Sequence, residues 1–167
     1  MTTSIGLIIL LILGGNYAIG LITSYLNIKA IKTEIPDEFK ESYDSEKYKK
    51  SQSYLKESSK LEGIESTFSF IGLLLFWGVG GFNILDQWVV KLNSNTLIQG
   101  ILFLYGIGLL NAIVSLPFEY ISTFKLEAKY EFNQTTLRTF ILDRIKGLLL
   151  SALIGIPILL IILYLFM

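Results

Sequence analysis

Four stretches of this chain, 5–26, 66–85, 96–116 and 147–167, carry no charged side chain. The first is 22 residues long and the second 20, and a helix needs about 20 apolar residues to cross a hydrocarbon core of about 30 Å. Apolar side chains make up 52% of the 167 residues and mean hydropathy is +0.58, a composition too apolar and too blocky for an ordinary soluble domain. The expected fold is all-α: a polytopic integral membrane protein, one membrane domain over 1–167, with four transmembrane helices and two helical cytoplasmic loops, 27–63 and 117–146. A secretory signal peptide would need a basic n-region and a shorter apolar core, and the first 28 residues, which hold no charge, have neither.

Polar and small residues mark the spans. Asn16 lies at mid-depth and should find a partner on a neighbouring helix, while Gly14, Gly15 and Gly20 allow close helix approach without forming a regular dimerisation face. Trp88, just past Asp86, reads as an interface anchor in a short polar connection over 86–95. Gln99 and Asn111 are the polar members of the third span, and Pro117 is expected to end it. Pro157 with Gly155 predicts a kink in the fourth.

The loop over 27–63 holds eight lysines and eight acids. Pro36 suits a first helical position and Ser45 an N-cap, which predicts helices over 37–43 and 46–61. On the second of these, Tyr48 with Leu55 and Tyr54 with Leu61 draw two narrow apolar lines along a mostly solvated helix. With four spans, the side holding the first and third loops carries eight and five basic residues, and the other carries only Lys91. Positive charge stays inside, so the long loops are read as cytoplasmic and both termini as outer or luminal, in a cell membrane or the endoplasmic reticulum.

Chemistry is bounded by what is missing. There is no histidine and no cysteine, which removes the usual zinc ligands, the usual general base, any disulfide framework and any Ser-His-Asp or Cys-His device. Asp86, Glu119, Glu127 and Asp143 are scattered over loop positions, so no catalytic and no metal-ligating residue is assigned. Net charge is zero and basic residues sit among acids, so no nucleic-acid partner is expected. Asn133-Gln134-Thr135 is formally a glycosylation acceptor, an accident if that loop is cytoplasmic.

The third loop is the most informative. From Thr123 to Phe132 apolar and polar residues alternate, the period of a strand. Nothing else in the chain reads as a pairing partner, so helix is the expectation. Asn133 is the expected N-cap of a following helix whose stripe is Leu137, Phe140, Ile141 and Ile145, with Asp143 and Lys146 placed to pair one turn apart.

Leu116 and Pro117, then Thr123 and Phe124, then Phe132, Asn133 and Thr136, then Phe140, Asp143 and Lys146 follow one another in an order that resembles the N-terminal membrane region of the type I CAAX prenyl proteases, the M48 integral-membrane zinc metallopeptidases. Tyr48, Ser51 and Tyr54 are similar to the Tyr-x-x-Ser-x-x-Tyr pattern of that family's first loop. One position departs: Glu131 stands where the family usually has glycine. The resemblance covers about residues 27–167 and implies structural roles for Pro117, Thr123, Phe124, Phe132, Asn133, Thr136, Phe140, Asp143 and Lys146. It also implies that the chain is a fragment of a longer protease. Zinc is then held by a His-Glu-x-x-His helix in a C-terminal catalytic part that is missing here, and the fragment alone is inactive. The partners implied are the lipid bilayer, that C-terminal part, and prenylated or other peptide substrates. The rival reading is an independent four-helix membrane protein acting as a transporter subunit or assembly partner, although no span carries the carboxylate that proton-coupled exporters use.

The charge asymmetry generates a topology test. A reporter fused after Met167 is expected to be active on the outer or luminal side, and one inserted near Tyr43 in the cytoplasm. A cytoplasmic signal from the C-terminal reporter would contradict the four-span arrangement.

Overall fold

The computed structural model describes residues 4–35 and 44–165, and the regular structure among them is entirely helical. Helix α1 is Ser4–Ala30, α2 is Ser45–Gly78, α3 is Gly81–Leu92, α4 is Thr96–Ile121 and α5 is Leu137–Leu165; a π-helical segment, Ser122–Glu127, follows α4 directly. Three of these are long and apolar enough to cross a membrane: α1, Thr96–Glu127 and α5. A fourth span exists if α2 and α3, bent by 67° at their break, are counted as one.

Large apolar side chains are exposed along all of these helices, Leu11 at 67% and Leu153 at 73% among them. That is the surface of a protein whose solvent is hydrocarbon, where apolar groups need no burial.

Several sequence expectations are corrected. The helix expected at 46–61 and the span expected at 66–85 are not separate: α2 runs through both. Residues 61–66 contain one glycine and no proline, and continuing the helix satisfies each backbone group within it, whereas a loop at the membrane face would leave them unpaired. At 34 residues and about 1.5 Å per residue α2 is about 50 Å long, so its charged half extends beyond any hydrocarbon core. The N-cap is Asp44, not Ser45: its Oδ1 accepts from the backbone N–H of Glu46 (2.9 Å) and Lys47 (3.3 Å). Pro36 and the helix expected over 37–43 lie outside the described residues.

The span expected to run to residue 85 breaks earlier. Gly80 takes a left-handed conformation (φ 76°), its N–H donating to the Trp77 carbonyl and its carbonyl accepting the N–H of Ile84 in the first turn of α3. The segment Gly78-Val79-Gly80-Gly81 held this signal, since glycine reaches positive φ at no steric cost. Gly81 lies so close to the Phe76 ring that any Cβ would meet it at 2.4 Å, and Phe82 packs edge-on against both Phe76 and Trp77. Asp86 to Leu92, expected as a polar connection, is therefore helical, within α3.

Pro117 does not end the third span: α4 continues through it to Ile121 and into the π segment. Pro157 sits inside the fourth span, as expected, within α5 (Leu137–Leu165).

By packing, the chain forms two compact units. The first takes residues to Leu75 together with Ser115–Asn133; the second takes Phe76–Val114 and the chain from Gln134 onward. Within the second, α4 meets α5 where Gly100 faces Leu163 and where the Tyr105 hydroxyl lies over Gly155 and donates to the Ser151 carbonyl (2.7 Å). Gly106 receives Leu85 of α3.

The cap of α5 is another correction. Thr136 immediately precedes the helix, its Oγ1 accepting from the Thr139 N–H (3.2 Å) and its carbonyl from the Phe140 N–H (2.9 Å), so Thr136 and not Asn133 is the N-cap. Two stability measurements follow. Thr136→Ala should destabilise the full-length protein by about 1 kcal/mol, and Asn133→Ala by less, as read by thermal unfolding in detergent. Gly80→Ala should cost about 1 kcal/mol, because the alanine Cβ is strained at that φ.

Candidate functional site

The first unit contains a turn that explains the departure at Glu131. Glu131 is the one non-glycine residue with positive φ (58°) among the described residues. Its N–H donates to the Ala128 carbonyl (3.1 Å), and the next N–H, of Phe132, reaches back to the Glu127 carbonyl (2.8 Å). These are the paired bonds of a Schellman helix stop, with glutamate in the place glycine usually takes. The helix expectation for this segment holds: Ser122–Glu127 is π-helical and runs into this stop despite the strand-like alternation of its sequence.

Side chains fasten the turn to α2. Lys50 pairs with Glu131 and lies 5.6 Å over the Phe132 ring. One face further along α2, Tyr54 packs edge-on against Tyr130 and Phe132, with centroids 5.7 and 5.1 Å away. Beyond it, Glu57 takes both short bonds from the Lys129 ammonium (2.6 and 2.7 Å). The spacing of Lys50, Tyr54 and Glu57 on one face is what makes the contact possible. The Lys129 ammonium, then the Tyr130 hydroxyl, hold Glu57 below the ordinary carboxylate value; Glu57 in turn raises Lys129, and Lys50 lowers Glu131. Tyr130 is raised, by burial first. Tyr48 and Leu55, read as apolar lines, face a different hollow, beside Ile31 and Lys32.

A second feature of this unit is the α1–α2 pair. The Tyr17 hydroxyl donates to Thr67 Oγ1 (2.8 Å), Thr67 donates back to the Gly63 carbonyl (2.8 Å), and the Tyr17 ring stacks on Phe70 at 4.3 Å. Two grooves flank this junction. One, of about 580 Å³, has a mixed lining, with Asn16, Thr23 and Asn27 of α1 and Glu62 and Ser66 of α2 set beside Leu13, Ile19 and Phe70. The other, of about 630 Å³, is almost wholly apolar, with Leu21, Ile28, Ile64, Phe68 and Ile71 on its walls. Asn16 thus lines a groove and makes no hydrogen bond to a described residue of a neighbouring helix, contrary to expectation. The polar stripe was present in the sequence: Asn16, Gly20, Thr23 or Ser24, and Asn27 recur at helical spacing.

The remaining residues singled out by sequence fall as follows. Pro117 lies near the end of α4, and Thr123 and Phe124 lie in the π segment, Phe124 against Tyr120 at 5.0 Å. Asn133 donates its N–H to the Glu127 carbonyl (3.3 Å), as a third bond to the turn. In the second unit, Phe140 is buried beneath the Arg144 guanidinium at 4.8 Å. Asp143 and Lys146 form no ion pair with each other among the described residues, correcting that expectation. Among the described residues no site fits a zinc ion: imidazole and thiolate are absent from the sequence, and no three acidic side chains cluster.

Opposed effects at Glu131 make a clean test. The left-handed conformation costs an L-residue roughly 1–2 kcal/mol, while exposed ion pairs contribute little. Glu131→Gly should leave thermal stability unchanged or raise it, Glu131→Val should lower it, and Lys50→Met should lower it slightly. The ionic contacts should also bracket the turn in pH. Glu57 and Glu131 contribute above the ordinary carboxylate value of 4.5 and lose that contribution as pH falls through their lowered values; Lys129 contributes below 10.5 and loses it as pH rises through its raised value. Amide-exchange protection over 126–133, corrected for intrinsic rates, should therefore be flat near neutrality and fall outside that window.

Known proteins give this arrangement a family. Residues 24–167 match the family model described as the CAAX prenyl protease N-terminal region, with five membrane helices. The probable CAAX prenyl protease 1 of Schizosaccharomyces pombe is 31% identical over 134 residues, covering 70% of this chain and 28% of that protein. A CAAX prenyl protease 1 homolog of Oryza sativa is 36% identical over 124 residues, covering 68% and 28%. The crystal structure of S. mikatae Ste24p aligns with 99% of this chain and 39% of that one, at a TM-score of 0.81 and 29% identity. The chain thus spans about a third of the length of the proteins it matches. On the family match over residues 24–167 and the long apolar helices of an integral membrane fold, the chain belongs to the CAAX prenyl protease family and corresponds to its N-terminal membrane region.

Proposed function

We propose that this chain is the non-catalytic membrane scaffold of a CAAX-type zinc metalloprotease and forms part of the wall of an intramembrane chamber that admits prenylated peptide substrates. The observation that carries this reading is the polar groove between α1 and α2. Asn16, Glu62 and Ser66, which line this groove and not the other, are costly to set against lipid, since unpaired polar groups lose their hydration there. They are at ease against water and against the amides of a peptide, so this face belongs to a hydrated interior. The opposite face, where Leu21, Ile28, Ile64, Phe68 and Ile71 form most of the wall and the polar side chains gather at one end, belongs to lipid. Zinc, and the imidazoles that would hold it, are assigned to the C-terminal part of the longer protease. No chemical step falls to this chain, and its contribution is to bind, orient and enclose. The clasp between α2 and the turn at Glu131 would act in the cytoplasm, with both termini on the outer or luminal face.

The absence of cysteine makes the test direct. In the full-length protein, with any cysteines outside this chain removed, Asn16→Cys and Ser66→Cys should react with a charged, water-soluble thiol reagent. Ile64→Cys and Ile71→Cys should react at least tenfold more slowly. A bulky reagent on Ser66→Cys should also slow cleavage of a farnesylated peptide. Equal labelling on both faces would overturn the chamber-wall assignment.

A further inference from the structure

The apolar groove carries a cation at one end, and the register of the helix pair says where. Tyr17 bonds Thr67. In an antiparallel pair, seven residues onward along α1 and seven back along α2 bring Ser24 level with Lys60, about 10 Å from that bond. Ser24, Tyr25, Ser59 and Lys60 therefore gather at one end of the groove, and Phe68 and Ile71 line it on the other side of the Tyr17–Thr67 junction. Thr67 itself is engaged, with its hydroxyl bonded to both Tyr17 and Gly63, so the deep part offers no free polar group. Glu62 is two residues from Lys60, on nearly the opposite side of α2, and lines the other groove. Glu57, the carboxylate one turn before Lys60, is held by Lys129.

We propose that this groove is a binding site for one anionic membrane phospholipid, with its phosphate on Lys60 and the neighbouring hydroxyls and an acyl chain along Ile64, Phe68 and Ile71. The groove's volume of about 630 Å³ falls in the range of specific small-ligand sites, about 300–1,000 Å³. Basic pockets between membrane helices are where lipid headgroups are held. Gly63 deepens the middle of the groove: a Cβ built there meets nothing within 4 Å, so the space it would enter is open to a chain. Charge selects the occupant. A headgroup of net negative charge satisfies Lys60, and a zwitterionic one brings its own cation to the same place.

The test is lipid retention by the full-length protein. Purified protein is equilibrated with mixed micelles containing equal phosphatidylglycerol and phosphatidylcholine, and bound lipid is quantified by mass spectrometry. The wild type should retain phosphatidylglycerol over phosphatidylcholine by about fivefold, the increment one lysine gives near an anionic headgroup. Lys60→Gln should bring the ratio to about one. Gly63→Leu should reduce retention of both lipids by filling the groove. Lys47→Gln, the same charge change nearer the start of α2, should leave the ratio as it was. No preference in the wild type, an unchanged ratio in Lys60→Gln, or an equal loss in Lys47→Gln would overturn the proposal. So would displacement of the lipid, mole for mole, by a farnesylated peptide, which would make the groove a site for the isoprenoid instead.

Discussion

Hydrocarbon offers a peptide group nothing to bond with, and every feature of this chain is arranged around that fact. Each segment that meets lipid has to satisfy its own backbone, so helices form wherever the chain is apolar, and they persist past proline. Pro117 and Pro157 would end a helix in water, where the freed groups find solvent. Here α4 and α5 run through them. The same economy carries the helices out of the membrane: α2 extends its charged half into the aqueous region, and α4 continues as a π segment to Glu127. The polar regions are mostly extensions of spanning helices, not separate domains between them.

Because lipid supplies no driving force between helices, contacts within each unit are specific and few. Tyr17, Thr67 and Gly63 form one hydrogen-bonded joint between α1 and α2, and glycines admit Leu163, Leu85 and the Tyr105 hydroxyl elsewhere. At the aqueous end the forces change in kind. There α2 holds the turn at 131 by edge-on tyrosines and exposed ion pairs, which are individually weak and set direction more than they add stability.

The two grooves beside the Tyr17 joint differ in chemistry because α2 alternates its faces. Glu62 and Ser66 point one way, while Lys60 and Ile64 point the other. The pair therefore presents two chemically different surfaces, and the proposed chamber-wall role rests on that difference.

Membrane residence, helical class and family were legible in the sequence alone, because each rests on local quantities: runs without charge, the missing histidine and cysteine, and the ordered residues from Pro117 to Lys146. Element boundaries were not. Whether α2 pauses near residue 63, whether Pro117 stops α4, and whether Asn133 or Thr136 caps α5 depend on which backbone groups find partners, and neighbours decide that. Glu131 is the clearest case. The sequence marked it as a departure, but only the fold reveals that it adopts glycine's left-handed conformation and uses its carboxylate on Lys50 of α2. The polar stripe on α1 was likewise written in the sequence at helical spacing. That it faces Glu62 and Ser66 across a groove is a property of the pair, because register between helices is fixed by the Tyr17–Thr67 contact and not by either helix alone.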